Sequence, residues 1–90
     1  MDPKTFRVTF TANDRNRPSH GCAGDYLVLA SSESDARARM MARVRSAFGE
    51  SLAAQGIAFD DLVFSFERVV EVPASVAAEL APLLRGPPLN

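Results

Sequence analysis

Lys4 to Thr11, KTFRVTFT, alternates strictly. Phe6, Val8 and Phe10 face one way, and Thr5, Arg7, Thr9 and Thr11 the other. A period of two with one apolar side predicts a half-buried strand whose outer face is wet. Tyr26 to Ala30 is different: Tyr26, Leu27, Val28, Leu29 and Ala30 are apolar in succession. That run predicts a strand covered on both faces, or one in the middle of a sheet. Gly24 and Ser31–Ser32 punctuate its ends.

The period then changes. Ala36, Met40, Val44, Ala47 and Phe48 share one face at about 100° per residue, which predicts an amphipathic helix lying on the sheet. Its start is signalled by Ser32 and Asp35, a capping-box variant, and by acidic Glu33 and Asp35 at the positive end of the helix dipole. Gly49 offers a left-handed stop after Phe48, or the helix runs on to Gln55, weakened at that glycine. Alternation returns in residues 62–72, LVFSFERVVEV. Leu62, Phe64, Phe66, Val70 and Val72 fall on one parity, but Arg68 interrupts that apolar face and Val69 the polar one. A bulge near Arg68 would reset the alternation, or two short strands with a bend would replace the single one. Pro73 suits the first position of a closing helix striped by Val76, Leu80, Leu83 and Leu84, and Pro82 should kink or stop it.

The element order is therefore β-β-α-β-α. It predicts an α+β fold: a single small domain, residues 1–86, with an antiparallel-rich sheet and helices packed on one face. Residues 87–90 are expected to be a frayed tail. The 90 residues leave no room for a second core. With so few strands, exposed sheet edges invite a homodimer.

Composition removes several function classes. The formal net charge is −1, which argues against general attraction to nucleic acid or anionic membrane. Residues 1–50 carry eight basic and six acidic groups, and residues 51–90 two basic and five acidic, giving +2 and −3. Cys22 is the only cysteine, so an intramolecular disulfide or multi-cysteine zinc site is ruled out. The N-terminus lacks an apolar signal region and no apolar run approaches membrane length, which predicts a cytoplasmic protein.

Residues 12–24, ANDRNRPSHGCAG, have no periodicity and read as a long polar loop between two antiparallel strands. Asn13, Asp14, Arg15, Asn16, Arg17 and His20 offer donors and acceptors to a protein partner. The same stretch raises the idea of a Cys22–His20 thiolate, or a metal held by Asp14, His20, Cys22 and Asp25. Neither has the spacing or fixed geometry that the chemistry needs, so no catalytic residue, metal or cofactor is assigned. Asp60, Asp61, Glu67 and Glu71 read as a solvated sheet face, not a two-metal site.

Arginines make the alternative reading, a nucleic-acid-binding accessory protein using Arg15, Arg17, Arg39 and Arg43. Of the helix arginines, Arg37, Arg39, Arg43 and Arg45, only Arg39 and Arg43 are neighbours by helical angle. Glu33–Arg37 and Asp35–Arg39 are predicted i,i+4 pairs, and every phenylalanine considered (Phe6, Phe10, Phe48, Phe64, Phe66) falls on a core face. A stacking platform is then missing.

A strand ending in Ala-Ser-Ser-Glu-Ser-Asp-Ala-Arg, followed by a helix closing on Phe48-Gly49, resembles small actinobacterial-phage accessory proteins with an A-x-S-E-x-x-A-R…F-G cadence. The resemblance spans residues 26–49, and the family's aromatic-rich strand soon after the glycine is replaced here by Ser51–Gly56. It implies a phage or prophage protein that binds and modulates a host protein, and it carries over no functional residues. The expectation from the sequence is a non-enzymatic interaction module. A small enzyme with a loop Cys/His site ranks third, for want of a glycine-rich phosphate loop, a nucleophile elbow or an HExxH motif.

Overall fold

The computed structural model describes residues 3–83. Strands β1 (Lys4–Asp14), β2 (Gly21–Ala30) and β3 (Leu62–Glu71) form a three-stranded antiparallel sheet in the order β2-β1-β3. Helix α1 (Glu33–Ala47) follows β2, α2 (Gly49–Ala54) follows α1, and α3 (Ala74–Leu80) follows β3. Short 3-10 turns occupy Phe59–Asp61 and Ala81–Leu83. This is the α+β fold that the periodicities predict.

The alternating strand proves to be the centre of the sheet. β1 pairs on both sides, and its even positions Phe6, Val8, Phe10 and Ala12 are all but sealed from solvent. On α1, Ala36, Met40 and Val44 are fully buried against them. The apolar run Tyr26–Ala30 is therefore not a central strand, as its composition suggested, but part of an edge strand. Tyr26, Val28 and Ala30 face the core, while Leu29 is 57% exposed on the side that α1 leaves uncovered.

The polar stretch 12–24 is likewise corrected. β1 continues to Asp14 and β2 begins at Gly21, with Ala12 opposite Cys22 and Asn13 opposite Gly21. Only residues 15–20 lie between the strands. Backbone pairing with a neighbour on each side carries a strand through residues of low strand propensity.

Other expectations resolve locally. The Ser32 hydroxyl accepts from the Asp35 amide at 3.1 Å, and the Asp35 carboxylate accepts from the Ser31 amide at 2.9 Å, one residue earlier than in the usual box. The helix breaks at Phe48, and α2 resumes at Gly49, which is not left-handed. The left-handed residue is Gly56, φ 74°, after the end of α2. There Ile57 N–H donates to the Leu52 carbonyl and Gly56 N–H to that of Ala53, a Schellman closure with Leu52 and Ile57 both buried. The expected bulge is present. The register shifts between Thr9 and Phe10, which pair with Arg68 and Phe66, leaving Glu67 as the extra residue. Beyond it the parity is inverted, so Val69 and not Val70 faces the core, opposite Val8, and Val70 is exposed. α3 ends at Leu80, before Pro82, and the predicted frayed tail, 87–90, lies outside the described residues.

Candidate functional site

The β1–β2 hairpin end is a polar region held by its own hydrogen bonds. Asp14 occupies the next even position after Ala12, so it points to the core side and is only 4% exposed. A buried carboxylate requires donors. Asn16 N–H donates to its Oδ1 at 3.0 Å and Arg17 Nε to its Oδ2 at 3.3 Å. The backbone donation from Asn16 holds the Asp14 carboxyl below its ordinary 3.8, against the upward push of burial and with help from Arg17.

Arg17 also reaches away from the loop. One terminal nitrogen donates to the Gln55 carbonyl at 2.8 Å and to that of Gly56 at 3.4 Å. These carbonyls stand at the negative end of α2, where a guanidinium is favoured. Arg15 N–H donates to the Asp61 carbonyl at 2.9 Å, prolonging the β1–β3 ladder. Asn13 Nδ2 donates to the Pro18 carbonyl at 2.9 Å, and His20 N–H to the Arg17 carbonyl at 2.8 Å. The loop is thus an ordered buckle joining β1, α2 and the start of β3.

Its residues divide accordingly. Asp14 and Arg17 are engaged within the chain, and Asn13 has its amide tied to the loop. Arg15, Asn16 and His20 are exposed, with the His20 ring 3.2 Å from the Ser19 hydroxyl. On the side away from α1, Asn13, Asp14, Arg15 and Pro18 meet Val63 and Ser65 of β3 around a depression of about 360 Å³. Val63 is 55% exposed there.

The same uncovered side of the sheet holds a polar cluster not anticipated from the sequence. Arg7 forks onto Asp25, Nε to Oδ1 at 3.0 Å and a terminal nitrogen to Oδ2 at 2.7 Å, and the Thr9 hydroxyl donates to Oδ1 at 3.0 Å. Arg7 holds the Asp25 carboxyl below 3.8 against partial burial. The signal was available: all three residues have outward parity, once Asp25 is read as part of β2 opposite Thr9.

The surroundings of Cys22 oppose thiolate formation. Cys22 is half-buried, and burial pushes its thiol above 9.0, the reverse of nucleophile activation. Among the described residues no group of His, Cys, Asp and Glu is placed to hold a metal ion. Among them, too, no helix is long and apolar enough to cross a membrane.

The arginines on α1 fall on two flanks. Arg37 lies over the Phe66 ring, 5.7 Å from its centre, in place of the expected pair with Glu33, and Arg45 lies 5.3 Å over Phe59. Phe64 and Phe66 are on the core side but only half-buried, because β3 is an edge strand. Arg39 makes the predicted pair with Asp35 at 2.9 Å, and Arg43 has no carboxylate partner among the described residues. Compared with known proteins, the chain matches no family model, no curated protein and no solved structure.

Proposed function

We propose that this chain is a non-enzymatic protein-interaction module. The observation that carries the reading is the depression of about 360 Å³ between the hairpin end and β3, on the side of the sheet that α1 does not cover. It combines an exposed apolar wall, Val63, with a cation, Arg15, whose backbone is fixed to Asp61 and whose exposed side chain leans on the Asp60 carbonyl at 3.4 Å and the Asp61 carboxylate at 3.9 Å. A preformed concavity of this kind receives a partner's apolar side chain without an ordering cost on its own side. Arg15, Asn16 and His20 then contribute rim contacts, while Asp14, Arg17 and Asn13 hold the loop in shape. The proposed setting is the cytoplasm, and the cadence of residues 26–49 extends the proposal to a phage or prophage protein that modulates a host protein.

Capture of partners from a host lysate, comparing the wild type with Val63→Arg and Arg15→Glu, tests this. Both positions are exposed, so melting should barely change. Loss of the same captured protein from both variants is expected. Retention by both overturns the reading.

One observation favours a nucleic-acid accessory role instead. Phe64 and Phe66 stack with centres 6.0 Å apart, Phe59 meets Phe64 at a tilt with centres 5.9 Å apart, and Arg37 and Arg45 lie over the Phe66 and Phe59 rings. Yet Arg17 and Arg15, two of the arginines this role would use, are turned onto the chain itself, Arg17 to the Gln55 and Gly56 carbonyls and Arg15 to Asp60 and Asp61, and the net charge is −1. A nanomolar complex with steep salt dependence would put this role first. The expected result is no such complex.

A further inference from the structure

The two edges of the sheet are not alike. β3 carries a bulge at Glu67 and exposed charges at Glu67, Arg68 and Glu71, devices that discourage another strand from pairing. β2 has none of these. It pairs with β1 without interruption from Lys4↔Ala30 to Asn13↔Gly21, contains no proline, and its one charge, Asp25, is held by Arg7. Among the described residues no strand pairs with its outer edge. Its unpaired backbone donors and acceptors form a regular template for an added strand.

What lies beside that edge sets the chemistry of the occupant. Arg37 and Arg45 reach Phe66 and Phe59, so their flank of α1 faces β3. At about 100° per residue, Arg39 and Arg43 lie on the other flank of the buried Ala36–Met40–Val44 line, the one facing β2. Arg39 uses its Nε on Asp35, which leaves its terminal nitrogens, and Arg43 has no carboxylate partner among the described residues. A strand added to β2 runs about 4.8 Å outside it, with alternate side chains turned towards α1. Those side chains would meet the Arg39–Arg43 flank.

We propose that the outer edge of β2 takes an extended acidic segment of a partner protein, whose alternate carboxylates pair with Arg43 and Arg39. The inference rests on the interaction-module reading for the partner's being a protein, but its surface is separate from the hairpin depression. A second copy of this chain fits poorly. Two-fold pairing of β2 with β2 sets two α1 helices side by side with the same arginine flank on each. β2 itself supplies only Asp25, which points to the opposite side of the sheet and is already held.

The test uses two acetylated decapeptides, one alternating threonine and glutamate, the other threonine and lysine, titrated into the labelled protein by NMR. The glutamate peptide is expected to bind at least tenfold more tightly and to protect β2 amides from exchange. Arg43→Glu should abolish that preference without moving the melting temperature, since Arg43 is exposed. Equal binding of the two peptides overturns the proposal, as do shifts confined to β3. So does β2 protection that rises with protein concentration and no peptide, which would make a second copy the occupant. Shifts confined to residues 13–18 would overturn the edge proposal while leaving the hairpin module standing.

Discussion

Gly24 shows how a single residue can carry a packing rule. In the sequence it reads as punctuation before a strand, yet it lies within β2, under the ring of Tyr26. A methyl group there would sit 2.2 Å from Tyr26 Cε2 and 3.1 Å from Phe10 Cε1. Gly24→Ala should therefore destabilise by about 1–3 kcal/mol through overpacking, read as a lower urea midpoint. An unchanged midpoint would mean that the tyrosine ring swings away freely. The Tyr26 hydroxyl is itself buried with no partner among the described residues. Tyr26→Phe removes that unsatisfied group and should leave stability unchanged or raise it by up to about 1 kcal/mol. A clear loss would reveal a hydrogen bond to the hydroxyl. Met40→Ala, on the core face of α1, and Phe48→Ala, at the buried break between α1 and α2, should each cost about 2–5 kcal/mol, a large share of the roughly 5–10 kcal/mol a domain of this size holds. Thermal melts within a degree or two of wild type would place both side chains outside the core. Met40, Val44 and the even positions of β1 were legible because periodicity alone selects them. Asp14 was not, because aspartate in a turn-rich run reads as solvated. Only its even parity after Ala12 signals burial.

At the level of elements, strands and helices were legible wherever one face is apolar, and least so at their ends. β1 and β2 together claim residues 12–14 and 21–24 from what reads as loop, since ladder pairing outweighs the turn preference of Asn, Asp and Gly. The run Tyr26–Ala30 reads as a central strand because Leu27 and Leu29 add apolar side chains to the open face, and only their pairing with Arg7 and Thr5 of β1 shows which face that is. The shortened loop changes what a deletion would do. Cutting 12–24 to Asn-Gly removes Ala12 and Asp14 from the buried side of β1 and should unfold the chain. Replacing only Arg15–Ser19 with Asn-Gly shortens the loop from six residues to three and lowers closure entropy by about 0.6 kcal/mol, from (3/2)RT ln(6/3). It also removes the Asn16 and Arg17 donors to Asp14 and the strap to Gln55 and Gly56. A buried carboxylate without donors outweighs so small an entropic gain. The shortened chain should fold but melt lower, and a further Asp14→Thr should recover much of the loss. If the shortened chain melts higher than wild type, the buckle is a passive connection.

For the molecule as a whole, fold class was legible and activity was not, because the residues with chemistry to offer are mostly engaged in holding the sheet together. Asp14 anchors the hairpin on the core side, and Asp25 ties β2 to β1 on the uncovered side. Both carboxyls sit below 3.8 in the folded chain, Asp14 chiefly through the Asn16 amide and Asp25 chiefly through Arg7. The sign follows from proton linkage. With the folded values depressed, the unfolded chain takes up protons first as pH falls. The stability the two groups contribute is fully present above the ordinary carboxylate range and is lost as pH drops through that range towards the folded values. The melting temperature should therefore stay level from about pH 7 to 5 and fall steeply below about pH 4. The doubly substituted Asp14→Asn, Asp25→Asn chain should begin lower at neutral pH, because Arg7 and Arg17 lose their charged acceptors. It should then decline less steeply in acid, with Asp35, also depressed by the Ser31 amide, supplying much of what slope is left. Melting curves at unit pH steps for both chains decide the matter. Parallel acid limbs would mean that neither carboxylate is the coupling between protonation and folding, and that the hairpin buckle and the Arg7 fork are surface contacts of little consequence.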